Sequence, residues 1–198
     1  MFNLKRKIFI SVLDYYIKNR LKYKIAYFSN KSNAKIEGTP IIKQPSLMIG
    51  KGKISYGKNV QLGYYPSPFF YSGYSHIEAR TENSLINFGD NININNNLVI
   101  IAEKEVKFSN NILIGSNVEI YDSDFHTVSI NRWGNKNYKV ASVLINDNVW
   151  IGSNVKILKG VEIGFNTVIS NSSVVTKSFP ENVIVGGIPA KIIKKIEN

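Results

Sequence analysis

VWIGSNVKILKGVEIGFNTVIS, residues 149–170, places isoleucine at positions 151, 157, 163 and 169. A period of six belongs neither to a helix, which repeats its apolar face every three or four residues, nor to an alternating strand. The spacing extends outward, so that Ile145, Ile151, Ile157, Ile163, Ile169 and Val175 form six consecutive units. Four places after each stands a second residue, mostly apolar or small: Val149, Val155, Val161, Thr167, Ser173 and Phe179. Gly, Asn, Ser, Asp and Lys fill the intervals, and these favour turns and wet surfaces. A three-sided coil with six residues per side accounts for the pattern. On each side one aliphatic residue points inward, its companion fills the corner and a turn follows. One such coil cannot bury its apolar side alone, so successive coils must stack and share a core. Branched side chains suit that stacking, each Ile resting on the one below. A generic β-sandwich would need the same spacing to recur by coincidence six times.

Upstream, YGKNV (56–60), FGDNI (88–92), INNNL (94–98), FSNNI (108–112) and IGSNV (114–118) repeat one order: an aliphatic or aromatic residue, a turn pair, Asn, an aliphatic residue. A two-residue slip between Ile100 and Lys104 predicts a bulge in the prism. The expected fold class is all-β, a parallel β-helix of triangular section over residues 31–188, with the segment 127–142 ejected from it. Residues 189–198 read as a short C-terminal tail, helical or extended, because Gly186, Gly187 and Pro189 end the last strand. Residues 1–30 lie outside the repeat. Leu4, Ile8, Val12 and Tyr15 fall at roughly helical spacing among Lys5, Arg6, Lys7, Lys18 and Arg20, which predicts a basic amphipathic helix or two short ones. Such a segment can cap an open end of the prism, dock on an anionic membrane, or do both.

Composition narrows the function classes. The chain has 198 residues, a length that suits one domain, and no cysteine, which removes disulfides, thiolate metal sites and cysteine nucleophiles together. No apolar run is long enough to span a membrane. KRKIFISVL imitates a signal peptide, but Asp14 interrupts it and no small-residue cleavage site follows, so a cytoplasmic location is expected. The net charge of +11 is spread along the chain rather than gathered beside stacking aromatics, which argues against nucleic acid and for a polyanionic small ligand or membrane surface. Only two histidines occur, His76 and His126. His126 closes YDSDFH, immediately before TVSINRWGNKNYKVAS leaves the repeat, and loops ejected from a packed scaffold commonly carry function.

The repeat, INDNVWIGSNVKILKGVEIG and VVTKSFPENVIVGGIPAKIIKKI together resemble the hexapeptide-repeat acyltransferases, whose prism is a left-handed parallel β-helix. The maltose, galactoside and capsular-polysaccharide O-acetyltransferases and the xenobiotic acetyltransferases are the nearest in look, over roughly residues 50–196. The resemblance implies a homotrimer that uses acetyl-CoA, without metal, at three sites between adjacent prisms. It implies His126 as catalytic base, standing 24 residues ahead of Trp150. A neutral imidazole can take the proton of a weakly acidic sugar hydroxyl as that oxygen attacks a thioester. Asp122 and Asp124 could orient this imidazole or meet a substrate hydroxyl; capping a surface turn explains either equally well. Asn95 and Asn97 match an acceptor-lining asparagine of the family, with stacked asparagine ladders as the competing reading. The resemblance places the pantetheine arm of CoA against Trp150 and its groove at Ser153, Asn171, Thr176 and Lys177. It offers Lys191 and Lys194 to the CoA phosphates, with the backbone N–H groups beside Ser153 as donors to a thioester oxyanion. Ser153 and Asn171 are otherwise ordinary turn positions, and the lysines a solvated tail.

The aromatic stretch GYYPSPFFYSGYSHIEA (63–79) also leaves the repeat. Its rings could stack on a sugar or fill a prism edge or trimer contact. The expected activity is therefore O-acetylation of a sugar hydroxyl in a surface polysaccharide or its precursor. The alternatives are N-acetylation of a nucleotide-linked amino sugar and a non-catalytic trimeric scaffold. A zinc carbonic anhydrase on the same prism would need three imidazoles per site, more than two histidines readily supply. The basic segment is open to a direct test: a chain lacking residues 1–28 is expected to lose soluble, folded protein. Loss confined to the binding of anionic liposomes would identify the segment as an anchor instead.

Overall fold

The protein is seen as a computed structural model that describes Lys7, Ser11, Val12 and residues 34–197, apart from 128–129 and 131–136. Strands arrive in threes. The first coil is β1 (Lys35–Glu37), β2 (Ile41–Ile42) and β3 (Ser46–Gly50), and the second is β4 (Lys53–Tyr56), β5 (Gln61–Leu62) and β6 (Ser75–Ala79). The third is β7 (Leu85–Phe88), β8 (Asn93–Ile94) and β9 (Val99–Ala102). β10 (Glu105–Phe108), β11 (Leu113–Ile114) and β12 (Glu119–Tyr121) follow, then β13 (Val143–Ile145), β14 (Trp150–Ile151) and β15 (Lys156–Ile157). The last full coil is β16 (Glu162–Ile163), β17 (Val168–Ile169) and β18 (Val174–Val175), before β19 (Val183–Gly187) and β20 (Ala190–Lys195). From β4 to β18 each strand pairs in parallel with the one a full coil earlier, so three sheets are visited in strict rotation and form the three faces of a prism; β19 then joins the second face beside β17.

The hexad positions fill the interior as expected. Ile145, Ile151, Ile157, Ile163, Ile169 and Val175 are at most 1% exposed, and their companions Val149, Val155, Val161, Thr167, Ser173 and Phe179 are buried too. Each aliphatic group contributes roughly 1.5–3 kcal/mol by leaving water. The repeated Asn has a separate cause. Asn59, Asn91, Asn111, Asn148, Asn166 and Asn182 all turn the corner with φ between 53 and 58°, a left-handed conformation that Asn tolerates better than most residues. Their side chains also bond from coil to coil, as in Asn148 Nδ2 to Asn166 Oδ1 at 2.8 Å and Asn166 Nδ2 to Asn182 Oδ1 at 2.8 Å.

Stacked partners measure the coils. Neighbours Asn148 and Asn166 are 18 residues apart, which is three plain hexads. Asn59 and Asn91 are 32 apart, and Asn117 and Asn154 are 37 apart. The two excesses are the aromatic stretch after β5 and the segment after His126, and both leave at corners without shifting the strand register. Only Thr127, Ile130 and residues 137–142 of the second are described. The slip near Ile100 is likewise absorbed at a corner rather than by a bulge. The coil there is 20 residues long, and β10 pairs with β7 without a break. The additional residues sit in the turn Glu103–Lys104, where the Asp122 carboxylate accepts the N–H groups of Glu103, Lys104 and Glu105 at 2.7–2.8 Å.

The C-terminal end departs from expectation as well. Residues 190–195 form neither helix nor free tail but the antiparallel strand β20, folded back on β19. Its alternate positions are not apolar in strict order (AKIIKK), which hid the strand. The expected basic helix over 1–30 lies outside the described residues, except for Lys7, Ser11 and Val12, three helical and exposed positions. No helix among the described residues is long and apolar enough to cross a membrane.

Asp122 is wholly buried, and removing its carboxylate strands three backbone donors inside the corner. Asp122→Ala should lower the unfolding free energy by about 3 kcal/mol in urea denaturation, and Asp122→Asn, which keeps one acceptor oxygen, by less.

Candidate active site

His126 stands where the chain turns off the third face, five residues past the end of β12. Its side chain is exposed, and its backbone N–H donates to the Asp124 carbonyl at 2.7 Å. The residue before it, Phe125, has φ 58°, a conformation that is strained for a bulky side chain. Neighbours hold it there. The Phe125 N–H donates to Ser123 Oγ at 3.0 Å, its ring meets Tyr121 edge-on at 5.9 Å, and the Arg80 guanidinium lies 4.7 Å from the ring centroid.

Arg80 reaches this bend from just beyond β6, two coils below. Its Nε and Nη2 grip the two oxygens of Glu78 at 2.8 and 3.1 Å, and this bond holds the Glu78 carboxyl below the usual range. Its Nη1 lies 3.8 Å from Glu103 Oε1, to which Tyr138 donates its hydroxyl at 3.2 Å. Tyr138 comes from the returning end of the ejected segment. Ser123 bridges Val140 in antiparallel fashion, and the Asp124 N–H donates to the Lys139 carbonyl at 3.1 Å, so both feet of the segment are stapled together. His76 belongs to the same polar group, its Nε2 3.2 Å from Glu78 Oε2, and is half-buried on the third face.

Trp150 lies elsewhere. It faces outward from β14 on the second face, 54% exposed, in register between Leu113 and Val168. Beside it is a groove of about 400 Å³ lined by Gln61, Tyr64, Asn93, Asn95, Leu113 and Trp150. The aromatic stretch borders this groove through Tyr64. It is pinned by two fully buried amides: Asn96 donates to the carbonyls of Tyr64, Ser67 and Pro68 at 2.9–3.2 Å, and Gln44 donates to that of Phe69 at 2.8 Å. Within one chain, His126 occupies the corner between the third and first faces, opposite the second face that carries Trp150. The two rings therefore do not share a cleft of a single prism.

Several expected site residues have structural employment. The Asp122 carboxyl, raised above the usual range by burial, caps the turn described above and does not orient His126. Asp124 is exposed and pairs with Lys159 at 2.6 Å. Asn97 is a ladder residue, φ 67°, donating to Asn117 at 2.8 Å, whereas Asn95 lines the groove. Ser153 and Asn171 are stacked turn positions, the Ser153 N–H donating to Asn171 Oδ1 at 2.8 Å. Gly152 is required there, since a Cβ would lie 2.4 Å from that oxygen. The neighbouring N–H groups of Gly152 and Asn154 donate to Ile169 and Ser116 carbonyls, so the backbone beside Ser153 has no donor left for an oxyanion. Thr176 and Lys177 are exposed after β18, and Lys191 and Lys194 are exposed on β20.

Sequence reading missed Arg80, Glu103, Phe125 and Tyr138, whose contacts cross coils of unequal length, and the buried Gln44 and Asn96. Neither amide left a trace, since Asn96 falls in the turn pair of its repeat, a place that other coils mostly leave in contact with water.

The match to a family model, the bacterial transferase hexapeptide of six repeats, covers residues 142–177. The chain is 38% identical over 115 residues to the galactoside O-acetyltransferase of Escherichia coli K12, covering 58% of this chain and 56% of that one. It spans little more than half the length of several such curated relatives. WbbJ of the same organism, provisionally named a lipopolysaccharide biosynthesis O-acetyl transferase, is 31% identical over 163 residues, 78% of either chain. Among solved structures, a hexapeptide-repeat acetyltransferase of Vibrio cholerae O1 biovar eltor, complexed with acetyl-coenzyme A, shares the fold. It has a TM-score of 0.56 at 20% identity and covers 91% of this chain and 87% of that one. The likeness to WbbJ extends through most of both proteins and the repeat model matches the most regular coils: the chain belongs to the hexapeptide-repeat acyltransferase family.

Proposed function

We propose that this chain, wound as a left-handed β-helix, transfers an acetyl group from acetyl-CoA to a sugar hydroxyl of a surface polysaccharide or its precursor. Two relatives named as O-acetyl transferases, one for galactosides and one for lipopolysaccharide, support the acceptor class. The observation that carries the reading is the division of the site. An exposed imidazole on a strained corner and an exposed indole on the opposite face are of little use to one prism. In a homotrimer the corner of one copy meets a face of the next, and a cleft between copies holds both rings.

There His126 accepts the proton of the sugar hydroxyl as its oxygen bonds to the thioester carbonyl carbon. The C–S bond then breaks, the acetyl ester leaves with the sugar, and the imidazolium returns the proton to the CoA sulfur. Trp150 covers the pantetheine arm, and Asn95 with Asn93 and Gln61 offers amide partners to acceptor hydroxyls. Lys177, Lys191 and Lys194, with Thr176 beside them, supply cations and a hydroxyl to the phosphate end. The protein works in the cytoplasm, at the inner face of the membrane if residues 1–28 dock there.

His126→Ala should lower kcat by 10²–10⁴-fold (an order-of-magnitude range) with folding intact, read as thiol release from acetyl-CoA with a simple sugar acceptor. Near-normal turnover would remove the base. His126→Ala and Trp150→Ala chains, each inactive, should regain about a quarter of the sites when unfolded together and reassembled, because a quarter of random interfaces pair an intact imidazole with an intact indole. No recovery would place both rings in one chain's site.

Reversing the charge at Lys191 and Lys194 together should raise the KM for acetyl-CoA with kcat little changed; an unaltered KM rejects their contact with the phosphates.

A further inference from the structure

Between the prism body and the corner that carries His126, the described residues make one continuous set of contacts. Glu78 fixes the Arg80 guanidinium through two hydrogen bonds, so the group is held in place before it meets the corner. One face of that guanidinium covers the Phe125 ring on the outgoing foot of the ejected segment. One edge approaches Glu103, which accepts from Tyr138 on the returning foot and from Ser123 Oγ at 3.4 Å. Phe125 is one residue from His126 and sits in a backbone region that a phenylalanine leaves unless its surroundings compel it. A cation over an aromatic face supplies that compulsion in a direction-specific way, which plain apolar packing does not.

We propose that Arg80 is a positioning residue for His126: by clamping Phe125 and Glu103 it fixes both feet of the ejected segment and so aims the imidazole. This rests on His126 being the base. Glu78 acts one step further back, holding Arg80, and His76 on the far side of Glu78 buttresses the carboxylate. A base displaced by about an ångström from its substrate loses on the order of 10²-fold in rate, while groups that bind CoA elsewhere feel nothing. The signature is therefore a fall in kcat without a matching change in KM.

The test uses the full chain with Arg80→Ala, Arg80→Lys and Phe125→Leu, read by steady-state kinetics, unfolding midpoint and the NMR signals of the two imidazoles. His126→Ala identifies which signal is which. Arg80→Ala should cut kcat about tenfold or more, leave the KM for acetyl-CoA within about twofold, and move the His126 signal toward that of free histidine. Phe125→Leu should do the same, and the double variant should be no worse than either single one. Arg80→Lys, which keeps a cation over the ring, should restore part of the rate. Unchanged kcat and an unmoved His126 signal in Arg80→Ala would overturn the proposal while leaving the base assignment standing. If His126→Ala itself turns over normally, the base reading falls and the imidazole signal alone decides the clamp. Should Arg80→Ala fail to fold, Phe125→Leu carries the decision, and an unmoved signal there also overturns it.

Discussion

Inside a triangular coil of six residues per side, an inward aliphatic side chain has only one surface to bury against: the same position in the coil above and the coil below. Ile151 lies between Ile114 and Ile169, and Ile157 between Ile120 and Val175, in the register of the paired strands. The backbone obeys the same necessity, since the N–H groups of one coil donate to carbonyls of the next, as Trp150 does to Thr167. Stability here is a sum of neighbour-to-neighbour terms, and no coil stands without its partners. Everything else in the molecule is arranged so that this stacking is never interrupted.

That necessity decides where function can go. A strand two residues long with one side chain inside and one outside leaves no freedom on its inner side, and shifting it by a residue would turn the core to water. Added length must leave at corners. Coils of 32 and 37 residues accordingly export their surplus as the aromatic stretch and the segment after His126, while the strands above and below keep their register. Each export needs its own anchorage because the core gives it none. The first is held by the buried amides of Asn96 and Gln44, the second by the Ser123–Val140 bridge and the Arg80–Glu103–Tyr138 contacts.

The same contrast explains what could be read from the sequence. A burial rule that repeats every six residues prints itself on the chain, so the prism and its core residues are legible in the sequence. Corner chemistry was legible only as composition. Asn97 and Asn95 stand two residues apart in one run, yet the first turns a corner with positive φ and bonds upward, while the second faces a groove. Only the register of the repeat separates them, since Asn97 holds the Asn place of INNNL and Asn95 its turn pair. Asp122 and Asp124 differ in the same way, one wholly buried as the acceptor for three N–H groups and the other exposed beside Lys159. Arg80 was invisible for a different reason: unequal spacings of paired strands, His76 to Val99 and Val99 to Glu119, hide which residues on separate coils become vertical neighbours.

A scaffold of this kind also limits what one copy can do. Each flat face presents a row of single outward side chains at the inter-strand spacing, enough to grip a ligand from one side but not to enclose it. Leu113, Trp150 and Val168 make such a row, and the imidazole that could act on a ligand lying there belongs to the opposite corner. Bending the prism to bring them together would break the stack that holds it up. A second rigid prism, set corner against face, encloses the ligand without moving any coil, provided the corner is itself rigid. The Arg80 contacts matter most for that reason. On the proposed reading the imidazole is presented to a neighbouring copy, and the corner that carries it lies outside the stacked core.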